Sequence, residues 1–290
     1  IMQFYESEVN MTTGEKNELK KLQRKKEVRR QYEKIAITVG VIIVIIFAGK
    51  MIFGKKKSVP TAVNVETSQK QTQVETTVQE ETTRAIEPMI ALTFDDGPGQ
   101  YTGKLLDALE KYNARASFFM CGYSLKRTDI PVDELLKRMD ALGCDLGNHT
   151  MNHCALDKVS KSKRKYEING VNELVKKAVG YNPKFLSPPY GSGIRDAKVQ
   201  KAAKMPIICW SVDTLDWKTK SKKETVKSIM NSAKDGQIIL MHDIHSWSVD
   251  AAIEAIPKLQ KKGYQIVSVS EMAEAKGVKL KKGQPYFEFE

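Results

Sequence analysis

A chain of 290 residues with a net charge of +12 holds one good-sized domain plus appendages. The basic excess invites a nucleic-acid reading, but Glu15, Glu18, Glu27 and Glu33 dilute the cationic N-terminal arm, so no nucleic-acid partner is expected. Of the four cysteines, Cys121, Cys144, Cys154 and Cys209, three sit in or beside apolar runs and read as small core residues, not as a disulfide framework.

Residues 1–34 form a basic arm suited to lying as a juxtamembrane helix against anionic lipid. From Ile35 to Gly49 the chain is almost wholly apolar, and the run continues past Lys50 through Met51, Ile52 and Phe53. With Lys50 snorkelling, residues 35–53 reach the length of a short transmembrane helix. A secretory signal peptide is the alternative. The long charged arm and the lack of a small-residue cleavage site favour an uncleaved signal-anchor. Lys16, Lys20, Lys21, Arg24, Lys25, Lys26, Arg29, Arg30 and Lys34 outnumber Lys50, Lys55, Lys56 and Lys57 on the far side. The positive-inside bias predicts a single-pass protein of the cell membrane, N-terminus cytoplasmic and the rest outside. Residues 54–87, rich in Thr, Gln, Glu and Val, cannot bury a core and read as a disordered extracytoplasmic linker.

The main domain is expected over residues 88–278, with 279–290 as a tail. Ile90, Ala91, Leu92 and Phe94 read as a buried strand that Gly97-Pro98 stops, leaving Asp95 and Asp96 where strand gives way to loop. An isolated Asp-Asp-Gly is as well explained by an Asx-type turn, so its meaning depends on partners. Lys104 to Tyr112 has helical spacing and Ala116 to Met120 follows as a strand. Asp145-Leu146-Gly147-Asn148 starts as another strand and leads into His149 and His153. On a helical turn their spacing would place both rings on one face, and Asp96 as third ligand would give a two-histidine, one-carboxylate site with open positions.

Beyond this lie Lys161 to Lys165, a charge run at a helix start, read as a solvated face or as a contact for an anionic wall polymer. Ile207 to Trp210, Ile238 to Met241 and Ile266 to Val269 are strand candidates, and Ser221 with Glu224 makes a capping box for a helix through Ala233. Trp210 to Trp217 ends a strand in two acids and a tryptophan, and His242 follows the apolar run Ile238 to Met241. A strand-end His beside a strand-end Asp is the usual construction of a general acid. Repeated strand-helix units argue for a parallel α/β fold, and functional residues at successive strand ends for a barrel.

Asp95-Asp96, His149 with His153, Pro188-Pro189-Tyr190-Gly191, Asp213 through Trp217 and Leu240-Met241-His242 occur in the order and spacing of the polysaccharide deacetylase family. This group is also called the NodB-homology or carbohydrate esterase family 4 domain, and the resemblance runs from about Met89 to about Gly277. It implies a distorted (β/α) barrel of about seven strand-helix units and a metal-dependent hydrolase that removes acetyl groups from N-acetylated sugars. By the same resemblance Asp95 is the catalytic base, and Asp96, His149 and His153 hold the metal. The Tyr190 backbone N–H stabilises the oxyanion, and His242, oriented by Asp213, is the acid. Pro189, Tyr190, Trp217 and Leu240 are expected to contact substrate. Zinc is the default metal, with cobalt, manganese and nickel chemically acceptable. The expected partner is a cell-wall polysaccharide, peptidoglycan above all, met by a monomer. Chitin oligomers, an exported adhesin and acetylxylan remain open. One motif departs from the family: Ser187 stands where members carry an Arg that contacts the base, and a catalytically silent glycan-binding module is the rival reading.

Overall fold

The structure, a computed structural model, describes residues 87–290. The predicted arm and anchor, and nearly all of the predicted linker, lie outside the described residues. Among the described residues no helix is long and apolar enough to cross a membrane.

Among the described residues nine strands build one sheet: β1 Met89–Asp95, β2 Ser117–Met120, β3 Asp145–Asn148, β4 Phe185–Leu186, β5 Ile207–Ile208, β6 Val212–Asp213, β7 Gln237–His242, β8 Gln265–Val267 and β9 Pro285–Tyr286. Their order is β6-β7-β1-β2-β3-β4-β5-β9, with β8 also on β1, and the registered pairs are parallel. The curled sheet is drawn together by the C-terminal segment. After pairing with β5 it forms an antiparallel bridge from Glu288 to Gln237, and Phe289 N–H donates to Gly236 O at 2.8 Å. The predicted tail is therefore part of the domain. Helices connect the strands: α1 Thr102–Lys111, α2 Gly122–Leu125, α3 Val132–Ala141, α4 Lys161–Val179, α5 Ala197–Ala203, α6 Asp216–Thr219, α7 Lys222–Ser232, α8 Ser246–Lys261 and α9 Val269–Ala275.

Both faces of the sheet are buried, and the two-residue alternation of a strand decides what each receives. Ile90, Leu92 and Phe94 of β1 join Ile239 and Met241 of β7 in the core beneath the helices. Met89 and Ala91 face inward, where Ile238, Phe119, Phe185 and Ile208 fill the curl. The same alternation carries Thr93 and then Asp95 along the inner face of β1, and Leu240 and then His242 along that of β7. Parallel pairing sets Asp95 against His242. Two apolar strands thus deliver a carboxylate and an imidazole to one rim.

Some local expectations change. Ser221 does cap α7, its hydroxyl accepting from Glu224 N–H at 3.3 Å, but the reciprocal capping box sits at Ser268 and Glu271 of α9. That cap ends β8 at Val267, two residues before the predicted end, because Ser268 and Val269 are already committed to the helix. The segment from His149 to His153 is not a helical turn. Thr150 and His153 take left-handed backbone (φ 70° and 50°), and an irregular loop brings the rings together instead.

Gly147, in the strand that leads to His149, faces the Phe119 ring. A Cβ there would lie 2.3 Å from a ring carbon, and the ring is locked in the inner core. Gly147→Ala is expected to lower stability by about 1–3 kcal/mol through overpacking. Urea unfolding checks this, and an unchanged midpoint would mean that the ring has room to move.

Candidate functional site

A cavity of about 410 Å³ opens at the carboxyl ends of the strands, lined by Asp95, Asp96, His149, His153, Tyr190, Trp210, Asp213, Trp217, Leu240, His242 and His245. Its backbone is unusual. Asp96, His153 and Tyr190 sit at positive φ (73°, 50° and 62°), a region that non-glycine residues enter at a cost. Just below, Gly97 leaves space that a side chain would deny, since a Cβ would fall 2.3 Å from Asp243 Oδ1. Asp243 is fully buried, its carboxyl pushed up to about 7 by burial, against the hydroxyl of Thr102.

On one wall, donor atoms of Asp96, His149 and His153 all lie within 4.8 Å of one another. Their chemistry fits a divalent cation. His149 Nδ1 is 2.7 Å from the carbonyl oxygen of Ser187, which can only accept, so the ring proton is held there and Nε2 keeps its lone pair. Burial pushes this imidazole down to about 3, outweighing the pull of Asp96, which leaves it neutral and able to ligate. His153 Nδ1 meets the Tyr190 hydroxyl at 3.1 Å, and its Nε2 is 3.4 Å from Asp96 Oδ1. Ser124 steadies the loop by donating to Asp96 O at 2.7 Å. Cys154, which follows His153, is not among these donors.

Asp95 is buried beside them. Its Oδ2 accepts from the Ser187 hydroxyl at 3.2 Å, while its Oδ1 is buried without a hydrogen-bond partner. Burial pushes the Asp95 carboxyl well above the usual carboxylate range, and His242 and the Ser187 hydroxyl pull it back. A cation held by the adjacent donors would pull in the same direction as His242. Ser187 thus occupies the place beside Asp95 expected for it, as a neutral partner. Arg195 is exposed, and no contact joins it to Asp95.

Across the cavity, His242 is held by Asp216, not by Asp213. Asp216 Oδ1 lies 2.8 Å from His242 Nδ1, and its Oδ2 accepts the His242 N–H at 2.8 Å. Burial alone would lower the His242 pKa, but the hydrogen bond and charge of Asp216, with Asp95 and Asp96 behind it, raise it to about 9. Burial likewise works against the Asp216 carboxylate, and His242 more than compensates, holding it below its usual range. Asp213 lies at the cavity edge, where its Oδ1 accepts from Leu215 N–H at 2.8 Å. The expectation fails because Asp213 ends β6 and a second acid, Asp216, follows it three residues later. The chain turns through Thr214 and a left-handed Leu215 (φ 55°), and α6 then swings Asp216 beneath the ring. The Asp-Trp pair was the available signal, since Trp217 N–H and the Trp247 ring N–H both bind Asp216, at 2.8 and 3.0 Å.

Of the expected substrate contacts, Tyr190, Trp217 and Leu240 line the cavity, with Tyr190 71% exposed and Trp217 48% exposed. Pro189 does not line it. Buried below Tyr190, it stiffens the turn that holds Tyr190 at positive φ. The Tyr190 N–H makes no hydrogen bond to a described residue, as an oxyanion donor requires. Trp210 and His245 complete the lining, neither expected from the sequence. His245 stacks on Trp247 with centroids 4.5 Å apart.

Comparison with known proteins places this geometry in a family. The profile described as Polysaccharide deacetylase matches residues 82–209. The chain is 42% identical over 199 residues to the peptidoglycan-N-acetylmuramic acid deacetylase PdaC of Bacillus subtilis (strain 168), covering 68% of this chain and 41% of that protein. It thus spans about two fifths of the length of that relative. A peptidoglycan-N-acetylglucosamine deacetylase of Bacillus cereus (strain ATCC 14579) is 38% identical over 194 residues, covering 64% of this chain and 88% of that one. The solved structure of PdaC from Bacillus subtilis superposes with a TM-score of 0.62 at 40% identity, covering 66% of this chain and 92% of that chain.

Replacing His149 or His153 with alanine is expected to remove most bound divalent metal from the purified protein. Elemental analysis of the variants reads this directly, and normal metal content in either would refute its place among the ligands.

Proposed function

We propose that this chain, which belongs to the polysaccharide deacetylase family, removes N-acetyl groups from N-acetylglucosamine residues of peptidoglycan. The observation that carries the reading is the pairing of Asp95 and His242 across one rim, beside three convergent metal donors. The relatives named for peptidoglycan deacetylation support the polymer. A second reading, N-acetylmuramic acid as the sugar, is favoured by the 42% identity to a protein named for it.

A divalent cation held by Asp96, His149 and His153 would supply Lewis acidity toward the acyl oxygen, and two imidazoles with one carboxylate favour zinc. The residues of the chain do the rest. Asp95 accepts a proton from the attacking water. The Tyr190 N–H donates to the oxygen that gains charge as the carbonyl becomes tetrahedral. His242, protonated and fixed by Asp216, gives its Nε2 proton to the departing amine. Tyr190 and Trp217 offer exposed rings to the sugar, and Leu240 an apolar floor to the acetyl methyl. We further propose that residues 35–53 anchor the domain outside the cell membrane, on the grounds of their apolar length and flanking charge.

Two variants test the assignments by amine release from N-acetylglucosamine oligomers. Asp95→Asn is expected to keep its metal and lose about a hundred- to ten-thousand-fold in turnover, the usual range for general-base catalysis. Asp216→Asn is expected to move the basic limb of the pH–rate profile. As an acid, His242 works only while protonated, and a pKa raised to about 9 keeps it so as pH rises toward that value. Without the Asp216 charge, burial dominates and the pKa falls, so activity is lost at lower pH. An unmoved basic limb would remove His242 from the role of acid.

A further inference from the structure

The charge run at Lys161 to Lys165 opens α4 in an arrangement that helix electrostatics disfavours. The positive end of the helix carries Lys161, Lys163 and Arg164 in its first turn, followed by Lys165, and no acidic residue in that turn. Ser160 caps it, its hydroxyl accepting from Lys163 N–H at 3.2 Å. Opposite this end stand Lys198, Lys201 and Lys204 on α5 and its exit. Between them lies a cavity of about 770 Å³, larger than the site described above, with Lys161, Lys165, Lys198, Lys201 and Lys204 on its walls.

Among the described residues little offsets this charge. None of those five lysines makes an ion pair with a described residue. Arg164, 5% exposed, also lines the cavity. Its Nε and Nη2 donate to the carbonyls of Leu156 and Val159 at 2.7 and 2.9 Å, and it has no carboxylate partner among the described residues. Asp157 is the one acid of the lining, and it is engaged by the Ser192 hydroxyl and by Lys158 at 3.0 Å. Lys163 is taken by Glu167 at 2.9 Å. The cationic path does not stop at this cavity. Lys201 also lines a neighbouring one of about 460 Å³, together with Lys282.

We propose that the groove between the start of α4 and α5 binds a linear polymer that carries phosphate groups. A buried guanidinium, a helix N-terminus and lysines on both walls form the usual recognition set for phosphate. The recessed shape and the continuation through Lys201 suit a single flexible chain, while a flat bilayer could reach only the rim. The groove holds none of the residues assigned to the cavity of Asp95 and His242, so the proposal stands apart from the deacetylase reading.

Binding of labelled inorganic polyphosphate to the full chain tests it, comparing two double charge reversals of equal net charge. Lys165→Glu with Lys201→Glu alters the groove, whereas Lys261→Glu with Lys262→Glu alters the far end of α8. The groove pair is expected to weaken binding about tenfold or more and to lower the slope of log affinity against log salt by about 2, near one per lysine removed. The α8 pair should leave both nearly unchanged. All four side chains are exposed, so both variants should fold, the α8 pair with at most a slightly lower unfolding midpoint from its negative charges at a helix C-terminus, and neutral N-acetylglucosamine oligomers should be processed by each as by the parent. Equal losses in the two variants would show diffuse charge attraction and overturn the site. A carboxylate polymer such as polygalacturonate bound as tightly as polyphosphate would overturn the phosphate assignment. Vesicles containing phosphatidylglycerol that alone respond to the groove pair would give the face to a membrane and overturn the polymer.

Discussion

Asp95 and His242 are register partners on the parallel strands β1 and β7, and the arrangement of the site follows from that pairing. Each is the last inward-facing residue of a strand whose other inward positions are apolar or satisfied: Ala91 in the inner core, Thr93 donating to Ile239 O at 3.2 Å, Ile238 beside Ala91. A slip of either strand by one residue would turn its functional group into the helix-facing core. Burial of both sheet faces excludes that slip, so the packing of Ile90, Leu92, Phe94, Ile239 and Met241 fixes where the chemistry can occur. Fold stability and site geometry are here one constraint.

Within this frame the two imidazoles are held in opposite charge states. Burial takes His149 down to about 3, more than the charge of Asp96 and the hydrogen bond to the Ser187 carbonyl can offset, and leaves it neutral. His242 is also partly buried, yet Asp216, itself wholly enclosed, contributes both charge and hydrogen bond and lifts it to about 9. A neutral ring can ligate a cation and a protonated one can give up its proton. A single cavity therefore offers both functions near neutral pH, with Asp95 between them. The split comes from which partner each Nδ1 meets, a carbonyl or a carboxylate.

Much of this was legible in the sequence. Apolar runs ending at Asp95 and His242 mark strand ends, and period-two alternation is enough to put those two residues on one face, while Asp96 reaches the cavity only through its left-handed turn (φ 73°). Ligand spacing from His149 to His153 was also visible, although it is an irregular loop with positive φ at Thr150 and His153 that satisfies it. Asp216 was harder to find, because a one-turn helix after a left-handed residue decides which of two acids returns to the histidine. Pro189 reads as a contact by position alone, whereas its rigid ring serves the backbone of Tyr190. The closing of the curl by Glu288 and Phe289 carried no signal, since so short a segment has no periodicity.

The proposed function requires that the cavity perform metal-assisted amide hydrolysis and not merely hold a glycan. The most direct measurement is the appearance of free amine on N-acetylglucosamine oligomers incubated with the intact chain, before and after chelation and again after return of a divalent ion. The account predicts amine release that chelation abolishes and the returned ion restores. Absence of free amine with the metal-loaded protein, or release that survives full chelation, would contradict it.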